Sequence, residues 1–167
     1  PSSSLCRTIA LVASSDGNGW VDCTCGNQHW GIYGAAGIAI VNLESQTILL
    51  QERAPWTHGG QTWALPGGAR DSHETPIETA LRELGEELGL ASESIEILNN
   101  TVLFDHGVWK YHTIIAKLTN FVEIVHNEES LSSNWVSLTD VESYDLHPAF
   151  KFSWKELSRL IYELQSN

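Results

Sequence analysis

The 167-residue chain is long enough for one domain with a substantial core and too short for two comfortable ones. Twenty-one acidic against nine basic residues leave a net charge of −12, which argues against a nucleic-acid polymer or a membrane surface as partner, since both demand positive patches. A small phosphorylated substrate stays open, because a metal ion can carry such an anion in. No apolar run is long enough to span a bilayer. Arg7 interrupts the first apolar patch and no basic leader precedes it, which argues against a signal peptide.

Residues 1–33 read as an N-terminal extension packed on a domain spanning 34–167. Thr8 to Val12 is expected to form a short strand. The stretch SSDGNGWVDCTCGNQHWG that follows is rich in turn formers, and its Trp20 and Trp30 are expected to anchor it to the domain. Cys6, Cys23 and Cys25 make an odd set without framework spacing, which suggests reduced thiols in a cytoplasmic protein. Cys23, Cys25 and His29 amount to part of a zinc site, but a structural zinc wants four ligands and paired CxxC-type spacings are missing. Free thiols are the expectation. Ala35 to Val41 (AAGIAIV) reads as a buried strand, and Ile48 to Glu52 as its partner across a loop at Leu43–Gln46. In the glycine-containing loop Ala54 to Gln61, Trp56 and His58 either border a pocket or stand exposed.

The most informative stretch is Gly67 to Leu90, GGARDSHETPIETALRELGEELGL. Pro66-Gly67-Gly68 predicts a tight turn where the backbone comes close to a neighbour. Thr75 and Glu78 have capping-box spacing, Pro76 falls at the first helical position, and Gly89 supplies a left-handed stop. Ile77, Leu81, Leu84 and Leu88 recur at helical spacing and form the inward face. Glu83, Glu86 and Glu87 stand at i, i+3 and i+4, so their carboxylates crowd together. Adjacent carboxylates raise each other's proton affinity unless a cation neutralises them, and Arg82 offsets only one charge. A hard divalent ion with oxygen ligands resolves the conflict; the bland reading is a solvated acidic face.

From Gly68 the spacing G-x5-E-x7-R-E-U-x-E-E-x-G-U (U aliphatic) is filled by Gly68, Glu74, Arg82, Glu83, Leu84, Glu86, Glu87, Gly89 and Leu90. This resembles the complete signature of the Nudix hydrolases, without a departure at any fixed position. The resemblance implies an α/β fold, a mixed sheet sandwiched between helices (α/β/α). It also implies Mg2+- or Mn2+-dependent hydrolysis of a nucleoside diphosphate linked to another group. Glu86 and Glu87 are then the foremost metal ligands, and Glu83 binds a second ion or takes a proton from water. Arg82 holds a glutamate in place and Glu74 supports. The carbonyl of Gly67 is a further metal ligand. Arg53 reaches substrate phosphates or, alternatively, makes a surface ion pair.

Ile95–Ile97, Thr101–Phe104, Tyr111–Leu118 and Phe121–Val125 read as strands, with a turn at Asp105-His106-Gly107. His106, His112 and His126 are scattered and assigned no role. A glutamate before the strand at Trp135–Leu138 resembles the family's distal carboxylate; Glu129 is chosen over Glu128. Thr139 and Glu142 predict a second capped helix. Phe150, Trp154, Leu157, Ile161 and Leu164 form the apolar stripe of a closing helix, with Phe150 a candidate for stacking on a base. The chain lacks the proline of ADP-ribose-cleaving relatives near Asp105 and the SQPWPFPxS tail of NADH-cleaving ones. The leading expectation is therefore a nucleoside triphosphate, intact or oxidised, cleaved to monophosphate and pyrophosphate. An ADP-sugar or dinucleotide substrate, or a non-catalytic nucleotide sensor on the same fold, stands as the alternative.

Overall fold

The structure, a computed structural model, describes residues 15–167; Cys6 and the strand expected over Thr8–Val12 lie outside the described residues. The turn-rich segment forms a small antiparallel hairpin, β1 (Trp20–Asp22) and β2 (Gln28–Trp30), in which Trp20 pairs with Trp30. The Gly67–Leu90 stretch and the rest of the chain form a mixed sheet between two helices. Its strands are β3 (Ala35–Asn42), β4 (Thr47–Arg53), β5 (Trp63–Ala64), β6 (Gly67–Ala69), β7 (Ile95–Asp105), β8 (Lys110–Leu118) and β9 (Ser130–Ser137). The helices are α1 (Pro76–Leu88) and α2 (Pro148–Gln165). No helix among the described residues is long and apolar enough to cross a membrane.

The apolar runs of β3, β4 and β8 follow from burial on both faces. Alternate residues serve opposite layers. Ile38, Ile40, Leu49 and Ile114 pack with Ala80, Leu84 and Leu88 of α1. Ala39, Val41, Ile48, Leu50 and Ile115 pack with Trp154, Leu157 and Ile161 of α2. At the centre, β3 runs parallel to β8, with Ala35 opposite Tyr111 and Ile40 opposite Ala116.

The other edge of β3 is divided. β4 pairs with it only at Val41–Ile48 and Asn42–Thr47, then diverges to pair with β9 and β5. The vacated edge takes β6, with Ala36 opposite Gly68 and Gly37 opposite Gly67. Gly67 and Gly68 therefore belong to a short strand rather than to the expected turn. A Cβ on Gly67 would collide with the Ala36 carbonyl, and one on Gly68 with the Glu83 carboxylate. The two glycines let α1 sit directly against the split in the sheet.

Helix α1 carries the expected punctuation. Thr75 accepts from Glu78 N–H at 3.2 Å and Glu78 accepts from Thr75 N–H at 2.7 Å. Gly89 closes the helix at φ 67°. Two expected elements differ. Residues 121–125 form no strand, because backbone N–H groups in this segment serve the end of α1: Val125 donates to the Leu88 carbonyl (2.9 Å) and Asn127 to that of Glu87 (3.2 Å). The capping box expected at Thr139 is not formed; Thr139 Oγ1 bonds Ser137 and Asp140 side chains, and only a short 3-10 turn follows at Val141–Ser143.

Because Trp154 fills the α2 layer while Thr75 caps one helix end, their losses should differ in size. Trp154→Ala is expected to lower stability by about 3–5 kcal/mol through the cavity it opens. Thr75→Ala should cost about 1 kcal/mol. Urea unfolding monitored by far-UV circular dichroism measures both, and equal costs would contradict this account of the core.

Candidate active site

The acidic face of α1 meets the split in the sheet, and the split decides which glutamates are buried. Glu87 is 3 % exposed. Its Oε2 accepts from Gln51 Nε2 at 2.6 Å and from the Gly67 N–H at 3.3 Å. Burial and the neighbouring charge of Glu83 push the Glu87 carboxyl up to about 8, against the pull of Gln51, Gly67 and Arg53. Glu83, one turn earlier and pressed on Gly68, is raised to about 7. Burial is the main cause; Glu86 and Glu129 add to it, and Arg82 opposes it. The guanidinium cannot win because it is shared.

Arg82 is the hub of this face. It donates to Glu74 through Nε at 2.5 Å and Nη2 at 3.0 Å, to Glu83 through Nη1 at 2.8 Å, and to the Ala69 carbonyl through Nη2 at 3.0 Å. Glu86, at 3.4 Å, lies toward solvent. Glu74 is buried, which by itself would raise its pKa. Hydrogen bonds from Arg82, the Asp71 N–H and Thr79 overcome that and hold it near 2. Glu74 thus serves as an ionised anchor for Arg82, consistent with a supporting place in the motif.

The structure brings Gly67, Arg82, Glu83, Glu86 and Glu87 together. Glu129 comes to them by a different route. The segment that ties down the C-terminal end of α1 ends at Glu129, whose carbonyl accepts from Ala54 N–H at 3.0 Å and whose charge is felt at Glu83. Arg53, at the end of β4, donates through Nε to the His58 carbonyl at 2.9 Å, and its charge is felt at Glu87. Among the described residues it makes no salt bridge, so it does not form the surface ion pair weighed above. Phe150 does not join the site. Its ring is buried in the α2 layer against Trp154, with centroids 5.8 Å apart, and has no free face for a base.

Two residues of the site carried no signal in the motif. Gln51 sits in an apolar strand, yet it faces Glu87, and its Oε1 is buried without a partner. Its lone polarity within ILLQE was the only trace. Asp71, also buried, accepts from Gly17 N–H at 2.8 Å and Ser15 Oγ at 3.0 Å and so ties the segment before the hairpin to the motif. The donor set presented by Glu83, Glu86, Glu87 and Glu129 consists of oxygens alone. Two of these carboxylates resist ionisation, and a buried amide oxygen beside them lacks a donor. This chemistry fits a hard divalent cation with its bound waters.

Comparison with known proteins agrees with this geometry. The NUDIX domain family profile matches residues 33–158. A protein of Mycobacterium tuberculosis (strain ATCC 25618 / H37Rv) named "Putative 8-oxo-dGTP diphosphatase 3" is 43 % identical over 150 residues, covering 85 % of this chain and 69 % of that protein. A Bifidobacterium longum protein, "Nucleoside triphosphate pyrophosphatase/Nudix hydrolase fusion protein", is 40 % identical over 89 % of this chain, which spans 32 % of its length. The crystal structure of RenU, a Nudix hydrolase from M. smegmatis, superposes with a TM-score of 0.81 at 39 % identity, covering 88 % of this chain and 96 % of that one. A profile that spans α1 and reaches into α2, and a mycobacterial structure matched along nearly its whole length, leave one assignment: this chain belongs to the Nudix hydrolases and is a pyrophosphohydrolase.

Proposed function

We propose that this enzyme hydrolyses a nucleoside triphosphate, with 8-oxo-dGTP the first candidate, to the monophosphate and pyrophosphate. The substrate class is suggested by the name of the relative 43 % identical to this chain. The chemistry is suggested by one observation above all, the pair of proton-retaining glutamates at the sheet split, Glu87 buried and Glu83 largely so. Nudix hydrolases generally use divalent cations, and Mg2+ or Mn2+ would be held here by Glu83, Glu86, Glu87 and Glu129, with the Gly67 carbonyl as a further ligand. Such an ion, when bound, supplies neutralisation of phosphate charge and a more acidic water.

The chain's own residues do the rest. Gln51 and the Gly67 N–H fix one oxygen of Glu87, so its carboxylate presents a defined orientation. Arg82, itself pinned by Glu74 and the Ala69 carbonyl, fixes Glu83 and acts as a positioning residue. Glu83 accepts a proton from the attacking water, and a carboxyl already raised toward neutrality suits that task. The water oxygen bonds to a phosphorus flanking the α–β bridge, the bridging P–O bond breaks with its electron pair going to the bridging oxygen, and the monophosphate and pyrophosphate separate. Arg53 offers its guanidinium to phosphate oxygens.

Incubating the protein with Mg2+ or Mn2+ and a panel of triphosphates, ADP-sugars and dinucleotides tests the substrate. Pyrophosphate plus 8-oxo-dGMP from 8-oxo-dGTP, at a higher kcat/KM than any dinucleotide, is expected. Two monophosphates from a preferred dinucleotide would overturn the triphosphate reading, and nucleotide binding without turnover would point to a sensor. Glu87→Gln should lower kcat by at least about a hundredfold. Because Glu87 is buried and holds its proton to about 8, the same change removes an unfavourable charge only above that pH, and its amide can donate to the unpartnered Gln51 Oε1. Metal-free Glu87→Gln should therefore melt no lower than the parent.

The raised carboxyls also set a pH dependence. Folded Glu83 and Glu87 hold protons to about 7 and about 8, whereas the unfolded carboxyls release them near the ordinary 4.5. Between those values the native state binds more protons, so stability falls as pH rises. Thermal unfolding in EDTA should show a melting temperature that declines between about pH 5 and about pH 8. Added Mg2+ should stabilise most at the upper end, where both carboxylates are ionised. A metal-free melting temperature rising through this window would contradict the burial account.

A further inference from the structure

The hairpin β1–β2 carries a cluster outside the hydrolytic site. Cys23 and Cys25 lie on its turn, His29 on the returning strand, and His106 in the loop between β7 and β8. One donor atom from each of the four lies within 4.8 Å of the other three. Cys25 Sγ is 3.2 Å from His29 Nε2, and Cys23 Sγ is 3.4 Å from His106 Nδ1. A tetrahedral zinc with Zn–S of about 2.3 Å and Zn–N of about 2.0 Å sets neighbouring sulfur and nitrogen donors roughly 3.5 Å apart. The observed separations match that edge.

The surroundings are organised for thiolates. Asn27 returns to Cys23 through its carbonyl (3.0 Å from Cys23 N), and Gly26, at φ 88°, donates to the Cys23 carbonyl at 3.0 Å. This tight loop aims the Cys25 N–H at Cys23 Sγ, 3.4 Å away, and the Asn27 side chain at Cys25 Sγ. The His29 ring is stacked on Trp109 with centroids 4.4 Å apart, and the Trp109 indole donates to the Trp30 carbonyl at 3.3 Å. His29 is thus held from behind, as a ligand imidazole needs to be.

We propose that Cys23, Cys25, His29 and His106 form a structural zinc site that clasps the N-terminal hairpin to the β7–β8 loop. Two thiolates and two imidazoles in tetrahedral array favour zinc, and four protein ligands leave no open position for chemistry. Cys23 and Cys25 are free thiols in the structure, as the sequence suggests, and the fourth candidate ligand, 83 residues beyond Cys23, cannot be found by local spacing. A lone Cys–His pair would be an ordinary hydrogen bond. Two such pairs converging from separate parts of the chain are not accounted for that way.

The test uses the full chain, purified with a non-thiol reductant, loaded with zinc sulfate and dialysed to remove loose metal. Mass spectrometry for metals should find about one zinc per chain, and His106→Gln or Cys23→Ser should reduce retained zinc at least about tenfold. Cobalt substituted into the unaltered protein should give the intense visible absorption of a tetrahedral, thiolate-bound ion. A parent protein that retains no zinc, or a cobalt spectrum of the weak octahedral kind, would overturn the proposal without reference to any variant's folding. Full retention by His106→Gln would overturn the four-ligand assignment.

Discussion

The structure depends on one electrostatic constraint: several carboxylates are gathered on α1 with a single guanidinium among them. Arg82 reaches Glu74, Glu83 and Glu86, and its contact with Glu74 is the tightest. The outcome is a division of labour set by geometry. Glu74, with three kinds of donor around it, is fully ionised and fixes Arg82. Glu83 receives what is left, and Glu87 receives nothing from Arg82; both hold their protons unusually strongly. In a medium of low effective dielectric this arrangement stores a demand for positive charge, and only an ion from solution can meet it. Helix stability does not require that demand, which is why the proposed function, rather than the fold, is asked to account for it.

The sheet supplies the other half of the constraint. Were β4 to stay paired with β3 along its length, α1 would pack on a continuous surface and Glu87 would have no polar partner. By diverging, β4 opens β3 to β6 and leaves Gln51 facing α1 while its neighbours Leu49 and Leu50 fill the two cores. The tolerance of this junction is small. Gly37 lies under it with the Tyr111 hydroxyl and the Pro66 carbonyl packed where a Cβ would stand. Half-buried Tyr111 has its ionisation suppressed, first by desolvation and then by the charges of Glu87 and Glu83. A neutral phenol beneath two glutamates adds no further negative charge there.

What the sequence disclosed follows the range of the interactions involved. Capping at Thr75, the stop at Gly89 and the inward stripe of Leu84 and Leu88 are local, and each was legible. The strands of the core were legible because burial on both faces leaves an uninterrupted apolar run. Residues 121–125 have the same look of a strand, but their backbone donors are claimed by the end of α1, a tertiary demand that no window of sequence contains. Phe150 sits at helical spacing with Trp154, Leu157 and Ile161, so its core position was already written in the stripe; the base-stacking idea set that pattern aside. Gln51, Asp71 and His106 were missed for one reason. Each acts on a partner more than thirty residues away in the chain.

The hairpin reaches the loop that holds Arg53 as well as the β7–β8 loop. Its first residue, Trp20, meets the His58 ring edge to face, with centroids 5.8 Å apart. The His58 ring in turn meets His147 at the start of α2, and the His58 carbonyl accepts from Arg53 Nε. The backbone on either side of the hairpin is tied inward: Gly17 to Asp71 on one side, Ile32 to the Gly17 carbonyl on the other. Residues 15–34 are too short to bury a core of their own, so their order must come from such tethers. A clasp at Cys23, Cys25, His29 and His106 would fix the far end of the hairpin while Trp20 fixes the near end. Arg53 would then owe its position to a segment outside the signature, and loosening the clasp would reach Arg53 through Trp20 and His58 rather than through the glutamates.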